Sequence, residues 1–395
     1  MGRRILIITG EASGDLHGAH LAMAVKAQAP DVVILGVGGP RMRAAGVELI
    51  QDIGSVDVIG LVGLAAARTL VKRVLILRKI LQSEPLDLVV LIDNPGLNFH
   101  FARIAKGAGL RVLYYISPQL WAWRPRRMTW MQRRVDHVLV ILPFEEVLYR
   151  RAGVPCTFVG HPLLDDVAPS YDRDRVRATY GLPRDACVIG LLPGSRTGEV
   201  QSLLPIFLDA ARLLQRDRPL RLILAVADTV DQDAIKRACD KTGLDVRLVT
   251  RDPNGVMAAA DLLFIASGTA TLQAAIIGTP MVIAYKLPFV TYLLARLLVR
   301  VDSIGLANIV AGTPFLPELI QHRATPENLV AEARRILDDA PYRDGMRAEM
   351  ARVRSLLGAP GASARAAAVV LDQLRLRGNV ATAWWRTWWR KGAAR

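Results

Sequence analysis

Short apolar runs alternate with helix-length mixed segments along almost the whole chain. The runs are Ile5–Ile8, Val32–Val37, Leu88–Ile92, Val112–Ile116, Val138–Leu142, Val188–Leu192, Leu220–Val226, Leu262–Ile265 and Met281–Ala284. Runs this short and this uniformly apolar predict strands buried on both faces. Their separation by helical segments predicts βαβ units and parallel sheets. The alternation pauses in a polar, proline-containing stretch from Gly160-His161-Pro162 to Pro169, then restarts at Val188 with a new strand and a glycine loop. The expected fold class is therefore α/β, with two Rossmann-like, doubly wound halves and a central cleft. The expected limits are 1–168, 169–345, helices packing back across the domains over 346–377, and a tail over 378–395.

Size agrees with this division, because 395 residues exceed what a single hydrophobic core normally supports. The chain is 52% apolar and its mean hydropathy is +0.26. Even so, the one uncharged stretch of eighteen residues or more, 262–285, is interrupted by Ser, Gly, Thr, Gln and Pro, so no membrane-spanning helix is expected. Ile5–Ile8 is too short for a signal peptide and is broken by Thr9-Gly10-Glu11; it reads as a first strand. Cys156, Cys187 and Cys239 have no metal-binding or paired spacing, which fits a reducing cytoplasm and neither a zinc site nor a disulfide framework.

The net charge of +15 narrows the partners to nucleic acid, an anionic membrane or a phosphorylated substrate. No nucleic-acid-binding motif is present, so that class has the least support. Three segments favour a membrane surface. Leu70, Val74, Leu77 and Leu81 share one helical face opposite Arg68, Lys72 and Lys79. Such a helix either lies in an anionic interface or packs on its own sheet. Leu293, Leu294, Leu297, Leu298 and Val301, with Arg296 and Arg300, repeat the theme. The tail holds Trp384, Trp385, Trp388 and Trp389 among Arg386, Arg390 and Lys391. Indole suits the headgroup region, and a Trp cluster capping a second copy, hence a homodimer, is the rival reading.

Two loops carry the candidate chemistry. Ala266-Ser267-Gly268-Thr269-Ala270-Thr271-Leu272-Gln273 follows an apolar strand and opens a helical pattern. Leu191-Leu192-Pro193-Gly194-Ser195-Arg196-Thr197-Gly198-Glu199 does the same. Each aims backbone N–H groups and a helix dipole at one point, and Arg196 adds a forked cation, so together they suggest a diphosphate site. In Gly10-Glu11-Ala12-Ser13-Gly14-Asp15 the Ser13 and Gly14 amides either face the cleft or begin a helix that Ser13 caps. Asp93, at the end of Leu88–Ile92, is placed either as a general base or as the cap of the following turn. Trp121 and Trp123 line a sugar or acyl site or complete a core; Arg124, Arg126, Arg127, Arg133 and Arg134 follow as a basic stretch suited to headgroups or a phosphate.

These motifs stand in a recognisable order. With Gly36–Met42, Leu142-Pro143-Phe144-Glu145, Phe158–Pro162 and Asn308-Ile309-Val310-Ala311-Gly312, the chain resembles the lipid-A-disaccharide synthase family over roughly residues 4–375. The resemblance implies a GT-B glycosyltransferase without metal or cofactor, cytoplasmic and peripherally bound to the inner membrane. It implies a reaction that joins UDP-2,3-diacylglucosamine to 2,3-diacylglucosamine 1-phosphate through a β(1→6) bond. By similarity, Asp93 is the base and Arg196 steadies the departing diphosphate. The Ser267–Thr271 loop cradles UDP, Asn308 and Glu318 line the nucleotide pocket, and the Leu61–Leu81 region admits acyl chains.

The chain departs from the family pattern at three places. Asp-Ala-Pro-Asp-Phe-Asn becomes Asp93-Asn94-Pro95-Gly96-Leu97-Asn98, an expected Glu is Gln273, and another is Gly63. Gln273 still accepts through its carbonyl oxygen, as a neutral partner worth about 1 kcal/mol less. Three other readings follow: a UDP-sugar transferase to a different lipid, a UDP-N-acetylglucosamine 2-epimerase-like enzyme, and a lipid-binding protein without catalysis, which Gly96 and Gln273 favour.

Overall fold

The computed structural model describes residues 3–52, 74–81, 83–120, 128–287 and 303–376. They form two compact units. One comprises the chain up to Pro162 together with the segment from Ala359 on; the other is Leu163–Gly358. The change of unit thus comes at Pro162, ahead of the expected 168/169 limit, and the return comes at Ala359 instead of 346.

The first unit is built on a seven-stranded parallel sheet in the order β3-β2-β1-β4-β5-β6-β7. Its strands are β1 (Arg4–Ile8), β2 (Val33–Gly38), β3 (Glu48–Asp52), β4 (Leu88–Ile92), β5 (Arg111–Tyr115), β6 (His137–Val140) and β7 (Cys156–Phe158). Strand periodicity divides its side chains between two cores. Leu6, Ile8, Val89, Leu91, Val112 and Tyr114 face one side. Ile5, Ile7, Leu88, Val90, Ile92, Leu113 and Tyr115 face the other. Burial on both faces is why these strands read as continuous apolar runs.

The helix Ala362–Leu376 belongs to this unit and completes the second of those cores with Ala366, Ala367, Val370 and Leu374. It packs along the helix Ala12–Gln28. Three bonds tie it down: Gln28 Nε2 to Ala364 O at 3.0 Å, Arg365 Nε to Val159 O at 2.8 Å, and Arg111 Nε to Gln373 Oε1 at 2.8 Å. The helix Ala340–Leu356, by contrast, stays with the second unit.

The second unit repeats the plan with six parallel strands in the order β10-β9-β8-β11-β12-β13. They are β8 (Cys187–Leu192), β9 (Leu220–Val226), β10 (Val246–Thr250), β11 (Leu262–Ala266), β12 (Met281–Tyr285) and β13 (Glu318–Ile320). In each sheet the winding direction reverses once, between β1 and β4 and between β8 and β11. Beyond the carboxyl ends of such a pair, the outgoing loops diverge to opposite faces and leave a crevice.

Candidate active site

In the second unit, β8 and β11 lie side by side, with Leu262 opposite Ile189 and Ile265 opposite Leu192. Both expected loops therefore emerge at one switch point. Pro193–Arg196 leads into the helix Thr197–Leu214, and Ser267-Gly268 leads into the helix Thr269–Ile277. Gly194 adopts φ +120°, a conformation that L side chains rarely take, and a Cβ there would lie 2.5 Å from Glu199 Oε2. A cavity of about 490 Å³ opens between the loops. Gly194, Ser195, Arg196, Glu199, Ser267, Gly268, Thr269, Ala270 and Gln273 all line it. Thr269 and Ala270 begin their helix, so their N–H groups have no intrahelical acceptor and, with the positive end of the dipole, suit an anion.

Within the cavity Arg196 Nη1 donates to Glu199 Oε1 at 3.0 Å. Glu199 Oε2 accepts from the amides of Ser195 at 3.1 Å and Arg196 at 3.3 Å. Ser267 uses its hydroxyl on Ile304 O at 3.0 Å. Gln273 Nε2 donates to Asn254 Oδ1 at 3.1 Å, which leaves its carbonyl oxygen as an acceptor. The wall opposite includes Asp228 and Arg251, ion-paired at 3.3 Å. Tyr285 closes β12, and burial, followed by the nearby Glu199, pushes its hydroxyl pKa up against the pull of Arg196. Sequence reading passed over Asp228, Arg251, Asn254 and Tyr285. Asp228 and Tyr285 come from strands next to the marked loops, Arg251 and Asn254 from beyond β10 at the sheet edge, and none carries a local motif.

The first unit presents a second constellation at its own switch point. Asp93 and Asn94, directly after β4, adopt φ 48° and 38°. Two successive non-glycine residues in the left-handed region store about 1–3 kcal/mol each, a cost seen mostly at functional sites. The strain is held in place. Asn98 Nδ2 donates to Ile92 O at 2.9 Å and Asp93 O at 2.7 Å, Tyr114 Oη donates to Asp93 O at 2.6 Å, and Asp93 N donates to Tyr115 O at 3.2 Å. Asn94, not Asp93, caps the helix Pro95–Gly107, accepting from Leu97 N at 3.3 Å. The Asp93 carboxyl is thus not consumed as the cap. Burial, and then the charge of Glu11, raise its pKa above the ordinary carboxylate range, while a backbone hydrogen bond from Asn94 opposes them. Gly10 makes this packing possible, because a Cβ there would meet Asn94 Nδ2 at 2.2 Å.

Comparison with known proteins decides the family. The model of the lipid-A-disaccharide synthetase family matches residues 5–368. The chain belongs to that family. A lipid-A-disaccharide synthase of Trichlorobacter lovleyi is 46% identical over 375 residues, covering 94% of this chain and 98% of the relative. One from Geobacter sulfurreducens is 44% identical over 373 residues, covering 94% and 97%. Solved structures of lower identity share the fold. A UDP co-structure of S. aureus MnaA has a TM-score of 0.65 at 14% identity, covering 95% of this chain and 97% of that one. The UDP-GlcNAc 2-epimerase of Neisseria meningitidis has 0.62 at 10%, covering 94% and 100%. A calicheamicin glycosyltransferase has 0.58 at 19%, covering 96% and 99%. The chain is accordingly a GT-B-type glycosyltransferase of lipid A biosynthesis.

Several residues expected to act in this family are not among those that line this cavity. Asn308 and Glu318 do not line the cavity between the two loops. Asn308 is buried, exchanges bonds of 2.9 Å with both backbone groups of Leu316, and donates to Glu318 Oε1 at 2.7 Å. Glu318 also accepts from Ile304 N at 2.8 Å and Gly305 N at 3.0 Å. Their polar groups are spent on fixing the 304–316 segment, on which Ser267 leans. Thr271 is fully buried and donates to Gly268 O at 2.8 Å, so its hydroxyl shapes the loop and does not line the cavity. Ser13 and Gly14 occupy the first turn of Ala12–Gln28 in the other unit, where Glu11 is the N-cap and Ser13 is not.

Among the lipid-facing candidates, Leu77 and Leu81 are 1% exposed and belong to the core under the sheet, with Val74 packed against them. They are core residues and not lipid-facing ones, because the apolar stripe of that helix covers its own sheet. Leu75 and Ile76 point outward instead, 56% and 42% exposed. Gly63, Leu70, Trp121, Trp123, Arg124, Arg126, Arg127, the 293–301 segment and Trp384, Trp385, Trp388 and Trp389 lie outside the described residues.

Proposed function

We propose that the chain is the inverting glycosyltransferase that joins UDP-2,3-diacylglucosamine to 2,3-diacylglucosamine 1-phosphate, forming a β(1→6) bond and releasing UDP. In this reading Asp93 takes the proton of the acceptor hydroxyl as its oxygen bonds to the anomeric carbon of the donor. The bond from that carbon to the diphosphate breaks, and the electron pair leaves with UDP. Arg196 and the N–H groups of the two loops neutralise the charge that develops on the leaving oxygen, a role that counts most where donors are already in place. Gln273, which lines the cavity and has its carbonyl oxygen left as an acceptor, accepts from a ribose hydroxyl. One observation carries the reading: two helix N-termini and a guanidinium converge on a single cavity at the β8/β11 switch point of a chain matched to this family over nearly its whole length.

The acylated substrates call for a membrane surface, and the charge of +15 and the outward Leu75 and Ile76 support peripheral attachment to an anionic leaflet on the cytoplasmic side. Among the described residues, no helix is long and apolar enough to cross a membrane. The deciding experiment assays disaccharide product by mass spectrometry for the wild type, Asp93→Ala and Arg196→Ala. Asp93→Ala is expected to abolish turnover and keep UDP affinity, and Arg196→Ala to slow turnover at least a hundredfold. Near-normal turnover in either variant overturns the role given to that residue.

A further inference from the structure

The donors that would receive a diphosphate already hold a carboxylate. Glu199 spans the amides of Ser195 and Arg196 with Oε2 and the guanidinium of Arg196 with Oε1, at 3.0–3.3 Å. Its side chain is only 16% exposed, against 69% for Arg196. It packs on Gly194, whose missing side chain is what gives it room. Chemically this is the arrangement of an oxyanion bound at a helix N-terminus with a forked cation. A phosphate brought to the same three donors would stand against the Glu199 charge.

We propose that Glu199 is a tethered competitor of the donor diphosphate: it holds Arg196 and the loop amides in bonding position, and yields them when the nucleotide binds. The inference rests on reading this cavity as the diphosphate site. The exchange moves no covalent bond. A flexible side chain at the third helical position rotates outward, and the two amides and the guanidinium pass from a carboxylate to phosphate oxygens. The alternative is that Glu199 is a helix cap alone, a capping box in which a residue at this position answers the N-cap amide. The two roles differ in sign. A competitor weakens nucleotide binding, whereas a cap that braces Arg196 strengthens it.

Calorimetric titration of UDP into full-length wild type, Glu199→Gln and Arg196→Ala separates them. Glutamine keeps the capping geometry and removes the charge, and melting temperatures verify that the variants are folded. Glu199→Gln is expected to bind UDP about tenfold more tightly, equivalent to about 1.4 kcal/mol. Equal or weaker binding overturns the competitor role. Arg196→Ala is expected to lose most of its UDP affinity. If it binds like the wild type, the assignment of the cavity itself fails, and the inference fails with it. Loss of affinity in Arg196→Ala with no gain in Glu199→Gln removes the competitor role and leaves the cavity assignment standing.

Discussion

Asn98→Ala tests whether the strained turn at Asp93 is held for catalysis. Asn98 is 1% exposed, and its amide supports two successive carbonyls, those of Ile92 and Asp93. Deleting it removes two hydrogen bonds of about 1 kcal/mol each and leaves a small void, a loss of about 2–3 kcal/mol. In a unit of this size that lowers the melting temperature by about 4–12 °C. The larger effect is expected on chemistry. Asp93 O would keep only the Tyr114 hydroxyl at 2.6 Å, too little to maintain two left-handed residues that each store about 1–3 kcal/mol. The turn should relax and swing the carboxylate away, cutting kcat at least tenfold. Turnover would be measured well below the melting transition, so that both proteins are fully folded. A variant that melts early yet keeps kcat within twofold would refute the link between this turn and the base.

Four further outcomes are expected. Asp93 holds its proton more tightly folded than unfolded, so the stability it contributes is present in acid and lost as pH rises through its raised value. Asp93→Asn should therefore raise the melting temperature at pH 7 and not in acid, while Glu11→Gln should move the acid limb of kcat/KM to lower pH; an unmoved limb excludes the Glu11 charge as a cause. Asn308→Ala strands both backbone groups of Leu316 and should cost about 2–4 kcal/mol in denaturant titrations, with little effect on kcat once folded; unchanged stability would return Asn308 to the list of ligand contacts. Deleting residues 380–395 should release part of the protein from anionic liposomes in sedimentation assays, and full retention would show that the Trp-rich tail is no anchor.

The strands that sequence reading found and those it missed differ in position within the sheets. All nine apolar runs correspond to interior strands. The four without such a run, β3, β7, β10 and β13, are the four sheet edges. Their segments, such as Glu48–Asp52 and Val246–Thr250, carry charged or polar residues because one flank of an edge strand meets solvent or loop. The two loops at the β8/β11 switch point were legible for a different reason: each joins an apolar strand to a helical pattern through glycine and hydroxyl residues that are contiguous in sequence. Glu318 and Asn308 misled because a buried carboxylate–amide clamp uses the same residue types as a ligand contact, and only coordinates show whose atoms it holds. Leu77 and Leu81 misled because a helix on a sheet and a helix on a bilayer carry the same stripe.

The closing helix Ala362–Leu376 has a consequence for how the protein is made. The first unit cannot be completed until about two hundred residues of the second have left the ribosome, since its final layer is encoded last. During that interval the apolar face that Val370 and Leu374 will cover remains bare on the nascent chain, while the middle unit has everything it needs to fold. Polypeptides that stop near residue 358 would therefore pair a complete second unit with an unfinished first one, whose bare apolar face is open to chaperones and proteases.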